Sequence, residues 1–120
     1  MNTLMASKMA PATDLIGTSV RNKMGEHLGK IEDFVLDLEA GRIAYAVLSF
    51  GGFLHIGDKR FAIPLRALAF DPEEESFVVN VDKNVLKNAP GFDKNDWPDL
   101  ANREWGTTVF AYYGFTPYWE

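Results

Sequence analysis

Residues Arg42 to Phe50 read RIAYAVLSF, and this stretch decides the fold. Ile43, Tyr45 and Val47 alternate with Ala44, Ala46, Leu48 and Phe50, so a strand here turns apolar groups to both of its faces. A helix is the competing reading, because Ala and Leu permit one. The flanking Gly41 and Gly51-Gly52, and the β-branched and aromatic side chains between them, favour the strand. Its even-numbered face is small at Ala44 and Ala46, which suits the crowded inner wall of a small barrel.

Working outward, Gly29 to Leu38 is a second strand, with Phe34, Leu36 and Leu38 expected on one face and Ile31 and Val35 on the other. Two filled faces fit a strand that curls inside a barrel or lies beneath a helix. Glu39-Ala40-Gly41 makes a tight connection between the two strands. Thr18–Asn22, Arg60–Pro64 and Ser76–Val81 complete the strand set, with a single helical turn expected in Leu65–Phe70 and a turn at Asp71-Pro72-Glu73-Glu74.

After Asp82 the period changes. Asp82 is placed to cap a short helix running to Asn88, stopped by Pro90-Gly91. Phe92 to Asp99 reads as a linker, and Asn102 to Tyr113 as a helix ended by Gly114. Nine of the sixteen aromatic residues lie in residues 92–120. Each ring can bury about 150–250 Å², so the tail is expected to pack, either on the barrel or on a partner or second copy.

The 120 residues carry 12 basic and 17 acidic side chains, a net charge of -5, and no cysteine. That excludes disulfides, a thiol nucleophile and thiolate metal sites. Residues 71–120 hold ten acidic and four basic groups, a balance that disfavours direct nucleic-acid binding. Residues 1–13 lack the apolar core of a secretory signal and are expected to form a flexible leader. No run is long and apolar enough to insert in a membrane, and the cytoplasm is the default location.

Four segments together resemble the PRC-barrel domain: Asp14-Leu15-Ile16-Gly17, Gly29-Lys30-Ile31-Glu32-Asp33, Gly41 to Leu48, and Gly57-Asp58-Lys59-Arg60-Phe61-Ala62-Ile63-Pro64 with the following Leu65-Arg66-Ala67-Leu68. The likeness covers residues 14–82. Residues 83–120, with Pro90-Gly91-Phe92, Asp96-Trp97-Pro98-Asp99 and Tyr112-Tyr113-Gly114, look like the helical, aromatic-rich extension of stand-alone bacterial members. The family takes its name from the cytoplasmic-side domain of the photosynthetic reaction centre H subunit, and includes the C-terminal domain of the ribosome maturation factor. The resemblance implies a mainly β fold, a small, strongly bent six-stranded barrel, and an adaptor or scaffold role without a catalytic motif. Leu65 departs from the Trp common at that position.

The chemistry-bearing residues give no sharper lead. His27 and His55 have neither triad nor metal-ligand spacing. Asp93, Asp96 and Asp99 lack the rest of a calcium-loop pattern, and Asp96 or Asp99 is better used as a helix cap. No phosphate-binding glycine loop occurs. No cofactor and no metal are therefore expected, and no enzyme activity. The candidate contacts are Phe53, Leu54, His55 and Ile56, at the tip of a glycine-bounded excursion, and the tail residues Tyr112, Tyr113, Tyr118 and Trp119. The excursion either folds back onto the core or meets a partner. The expected function is a protein-interaction module, forming a homodimer and binding a protein partner yet to be identified. The alternative is a ribosome- or RNA-processing-associated factor acting through a ribosomal protein.

Overall fold

The strand read from RIAYAVLSF forms with those bounds and sits at the centre of two packed layers. The computed structural model describes residues 9–50 and 59–120. Seven strands are found among these residues: β1 (Ser19–Asn22), β2 (His27–Asp37), β3 (Arg42–Phe50), β4 (Lys59–Pro64), β5 (Leu68–Asp71), β6 (Ser76–Val79) and β7 (Gly91–Asp93). The helices are α1 (Ala12–Leu15), α2 (Lys83–Lys87) and α3 (Arg103–Tyr112), with a 3-10 turn at Leu65–Ala67.

The strands form one sheet in the order β5-β6-β1-β2-β3-β4-β7. Every neighbouring pair is antiparallel except β1 and β6, which run parallel with Val20 opposite Phe77. One core draws on Val20 from β1, Leu28 and Phe34 from β2, Leu48 from β3, Ile63 from β4 and Phe77 from β6. Strands from across the sheet share that core, so the sheet must curl around it.

The fold is mainly β, as expected, but the barrel is not the closed six-stranded one. Among the described residues there are seven strands, and β5 and β7 are the two edges of their sheet. The seventh strand falls where a linker was expected: Gly91, Phe92 and Asp93 pair with Phe61, Arg60 and Lys59. The segment Leu65–Phe70 divides into the 3-10 turn and then β5, which pairs with β6 from Leu68 opposite Val79 to Asp71 opposite Ser76. Pairing across the sheet outweighs the weak local helical preference there.

The face assignment in β2 also changes. Ile31 lies opposite Leu48 but Asp33 lies opposite Val47, so Glu32 is an extra residue on β2. This bulge resets the alternation. Ile31 and Phe34, expected on opposite faces, both enter the curled core. Leu36 and Leu38, expected to share the face of Phe34, are instead 59% and 87% exposed.

The opposite face of β3 carries the second layer. Tyr45 and Val47 pack with Ala62, Phe92, Val109 and Phe110. Both faces of β3 are filled because one lines the curled core and the other lies beneath α3. The helix ends were legible. Asp82 caps α2 by accepting the Val85 N–H at 2.8 Å. Gly114, at φ 84°, takes the left-handed turn that stops α3. The cap of α3 is Asn102, whose Oδ1 accepts from Glu104 and Trp105. Asp96 and Asp99 do not fill that role; Asp99 instead accepts the Ala101 N–H in the turn before it.

Candidate functional site

The aromatic tail comes back over β3 and leaves a cleft beside it. Helix α3 can approach β3 closely because position 106 has no side chain. A Cβ on Gly106 would stand 2.6 Å from both the Trp119 ring and the Tyr45 hydroxyl oxygen. Phe110 is the hub of the resulting cluster, in edge-to-face contact with Tyr45 at 5.7 Å, Trp119 at 5.3 Å and Tyr118 at 6.1 Å between ring centroids. Such pairs contribute about 0.5–1.5 kcal/mol each beyond simple burial.

Two arginines grip this tail. The Arg42 guanidinium lies 4.0 Å from the centre of the Tyr118 ring, and that of Arg103 lies 5.5 Å from the centre of the Trp119 ring. Asp37 completes the attachment from the end of β2. Its Oδ1 accepts the Glu39 and Ala40 N–H groups, shaping the β2–β3 turn, while its Oδ2 accepts the Tyr118 hydroxyl. Gly41, at φ 69°, closes that turn.

These hydrogen bonds have electrostatic consequences. Asp37 is held below its ordinary value of 3.8, first by the Tyr118 hydroxyl and then by the Ala40 N–H. Tyr118 is pushed up to about 12, by burial first and then by the same hydrogen bond. Burial alone pushes Tyr45 up to about 12. Tyr113 is raised as well, chiefly by burial.

The signs of these shifts predict a pH dependence. A carboxyl with a lowered folded value stabilises the fold above 3.8, and that contribution is lost as pH falls through the lowered value. A tyrosine with a raised folded value contributes below pH 10, and the contribution is lost between pH 10 and about 12. Tyr118→Phe should therefore return the Asp37 carboxyl toward its ordinary value and flatten both limbs of the stability profile. An NMR titration of Asp37 that is the same in wild type and variant would show that the tail hydroxyl does not hold it.

The cleft itself has a volume of about 490 Å³. One wall is the β2–β3 hairpin, with Leu36, Leu38 and Glu39; the floor is Tyr45; the other wall is Ala101 and Arg103 with Tyr118 and Trp119. Asp37 and Arg103 among its charged groups hold the tail, while Leu36 and Leu38 at its rim are open to solvent. A second cavity, about 260 Å³, lies at the end of the curled core between Leu15, Ile43, Leu65 and Phe70, and the residues lining it are all of apolar type.

Of the residues singled out in the sequence, Tyr118 and Trp119 line the cleft. Tyr112 and Tyr113 do not. The Tyr112 hydroxyl donates to the Val85 carbonyl and fastens α3 to α2, while Tyr113 packs against both core layers. Phe53, Leu54, His55 and Ile56 lie outside the described residues. His27 opens β2 on the exposed surface. Asp93 and Asp96 bridge in backbone pairing, and among the described residues no three His, Cys, Asp or Glu side chains gather as a metal-binding group. No described helix is long and apolar enough to cross a membrane.

Leu36, Leu38 and Arg103 were missed in the sequence. The two leucines share the face of Phe34 in the sequence pattern but lie past a second register shift, between Val35 and Leu36, at the exposed end of the hairpin, and Arg103 is brought to the hairpin only by the docking of α3. The family model for the PRC-barrel domain matches residues 8–86. No curated protein matches the chain.

Proposed function

Because the chain belongs to the PRC-barrel family, we propose that it is a non-catalytic protein-interaction module whose recognition surface is the cleft between the β2–β3 hairpin and the aromatic tail. The observation that carries this reading is Leu36 and Leu38, 59% and 87% exposed beside a 490 Å³ cleft with aromatic walls. Apolar side chains grouped in the open at the rim of a concave aromatic surface are the usual make-up of a protein-binding anchor site.

The state of the charged groups supports recognition over catalysis. Asp37 is occupied by Tyr118 and by two turn N–H groups, and Arg42 and Arg103 lie against tail rings. These groups build the cleft; a general acid or base has to be available to a substrate. The rigid sheet fixes one wall and the docked tail the other, so the surface is preorganised and binding needs little ordering.

The test is affinity capture from native lysate with the tagged chain and a Leu36→Asp/Leu38→Asp variant. Bound protein, including untagged copies of the chain, should fall at least about tenfold by quantitative mass spectrometry, with the far-UV circular dichroism unchanged. Met24, 68% exposed on the β1–β2 turn, provides the control as Met24→Asp. Equal capture by all three proteins would remove the cleft from the function.

A further inference from the structure

We infer that the occupant of the cleft is the hairpin tip of a second copy of this chain, in a reciprocal two-fold contact; this rests on the recognition reading above. The geometry points to a copy because one face carries both halves of the contact. Leu36 and Leu38 project at the tip of the β2–β3 hairpin, and the cleft that can receive aliphatic side chains opens immediately beside them. A surface holding a protrusion next to its matching concavity is self-complementary about a two-fold axis, the commonest closed symmetry of protein assemblies. A foreign partner would need only the concavity.

Charge points the same way. The chain carries a net charge of -5, so two copies repel over most of their surfaces. At the cleft the balance differs. Glu39 on the hairpin wall and Arg103 at the start of α3 both line it, on opposite sides. When the hairpin of one copy enters the cleft of the other, the acidic turn of the first meets Arg103 of the second, and the reverse contact repeats it. This face therefore carries both signs of charge beside its exposed leucines and can complement itself. A volume of 490 Å³ falls within the roughly 300–1,000 Å³ of established binding clefts, enough for the pair of leucines a hairpin presents.

Two measurements on the full-length protein test this. In sedimentation across a dilution series, the wild type should approach twice the monomer mass, and so should Met24→Asp. Leu38→Asp should weaken the association by at least about a hundredfold, since a two-fold interface counts each substitution twice. A dimer unaffected by Leu38→Asp would overturn the inference. In cells, a photo-crosslinking residue placed at position 38 should yield an adduct of two copies, with the link mapping to Ala101, Tyr118 or Trp119. An adduct with any other macromolecule overturns the self-association and leaves the recognition reading standing. A monomeric wild type that gives no adduct overturns both.

Discussion

Replacing Tyr45 by Ala should lower the unfolding free energy by about 3–5 kcal/mol, the upper range for truncating a buried side chain. Tyr45 is 2% exposed, the largest of the fully buried side chains, and it stands at the centre of the layer that joins sheet to tail. Its ring meets Trp105 at 5.5 Å and Phe110 at 5.7 Å, both edge-to-face, and its hydroxyl reaches the surface of α3 at Gly106. The loss should show twice. Urea titration gives the drop in stability, and the fluorescence of Trp105 and Trp119 should report a loosened tail before the sheet unfolds. Tyr45→Phe keeps the ring and should retain most of the stability. A cost for the Ala variant below about 1 kcal/mol, the range of ordinary surface changes, would mean that the tail is held from elsewhere.

Gly91→Ala should have the next largest effect, about 1–3 kcal/mol, with release of β7 from the sheet. A Cβ at this position would stand 2.9 Å from the Arg60 carbonyl oxygen and 2.9 Å from an edge carbon of the Phe61 ring. The carbonyl belongs to β4, which is paired on its other side to β3, so it cannot withdraw. The ring is itself fixed, 1% exposed and in edge contact with Phe50. The added methyl therefore displaces its own strand. Hydrogen exchange should show lost protection through the Gly91–Asp93 pairing, with β1 to β3 unchanged. Full protection and wild-type stability in the variant would show that β7 can shift outward at no cost.

What could be read in the sequence follows from how local each feature is. The bounds of β3, the cap at Asp82 and the stop at Gly114 depend on a few adjacent residues, and all three were found. The bulge at Glu32 was not, because nothing at Ile31-Glu32-Asp33 marks an extra residue; only the opposing register of Leu48 and Val47 reveals it. A second register shift, between Val35 and Leu36, escaped for the same reason, and beyond it Leu36 and Leu38 lie exposed at the hairpin end rather than in the core. β7 escaped notice for a related reason: three residues, Gly91-Phe92-Asp93, are too short to display a period, and their pairing with β4 is wholly tertiary. The cleft joins residues 35–45 to residues 100–119. Tyr118 and Trp119 could be singled out from their chemistry, but the hairpin that faces them comes from far away in the chain.

The parallel pairing of β1 with β6 governs the order in which the molecule can assemble. Hairpin contacts such as β2–β3 need only a short loop to close, but Arg21 and Ser76 are 55 residues apart. Closing so long a loop has an entropic cost that its contacts offset only once both strands are in place. On a chain emerging from the ribosome, Val20 can pair with β2 at Gly29 early, but its other edge has no partner strand until Phe77 has been made. The first strand therefore spends most of synthesis with its edge open, although it ends up buried between two neighbours. Folding of this protein should be timed by its sixth strand, and the hazard of misassociation is greatest in nascent chains that stop short of it.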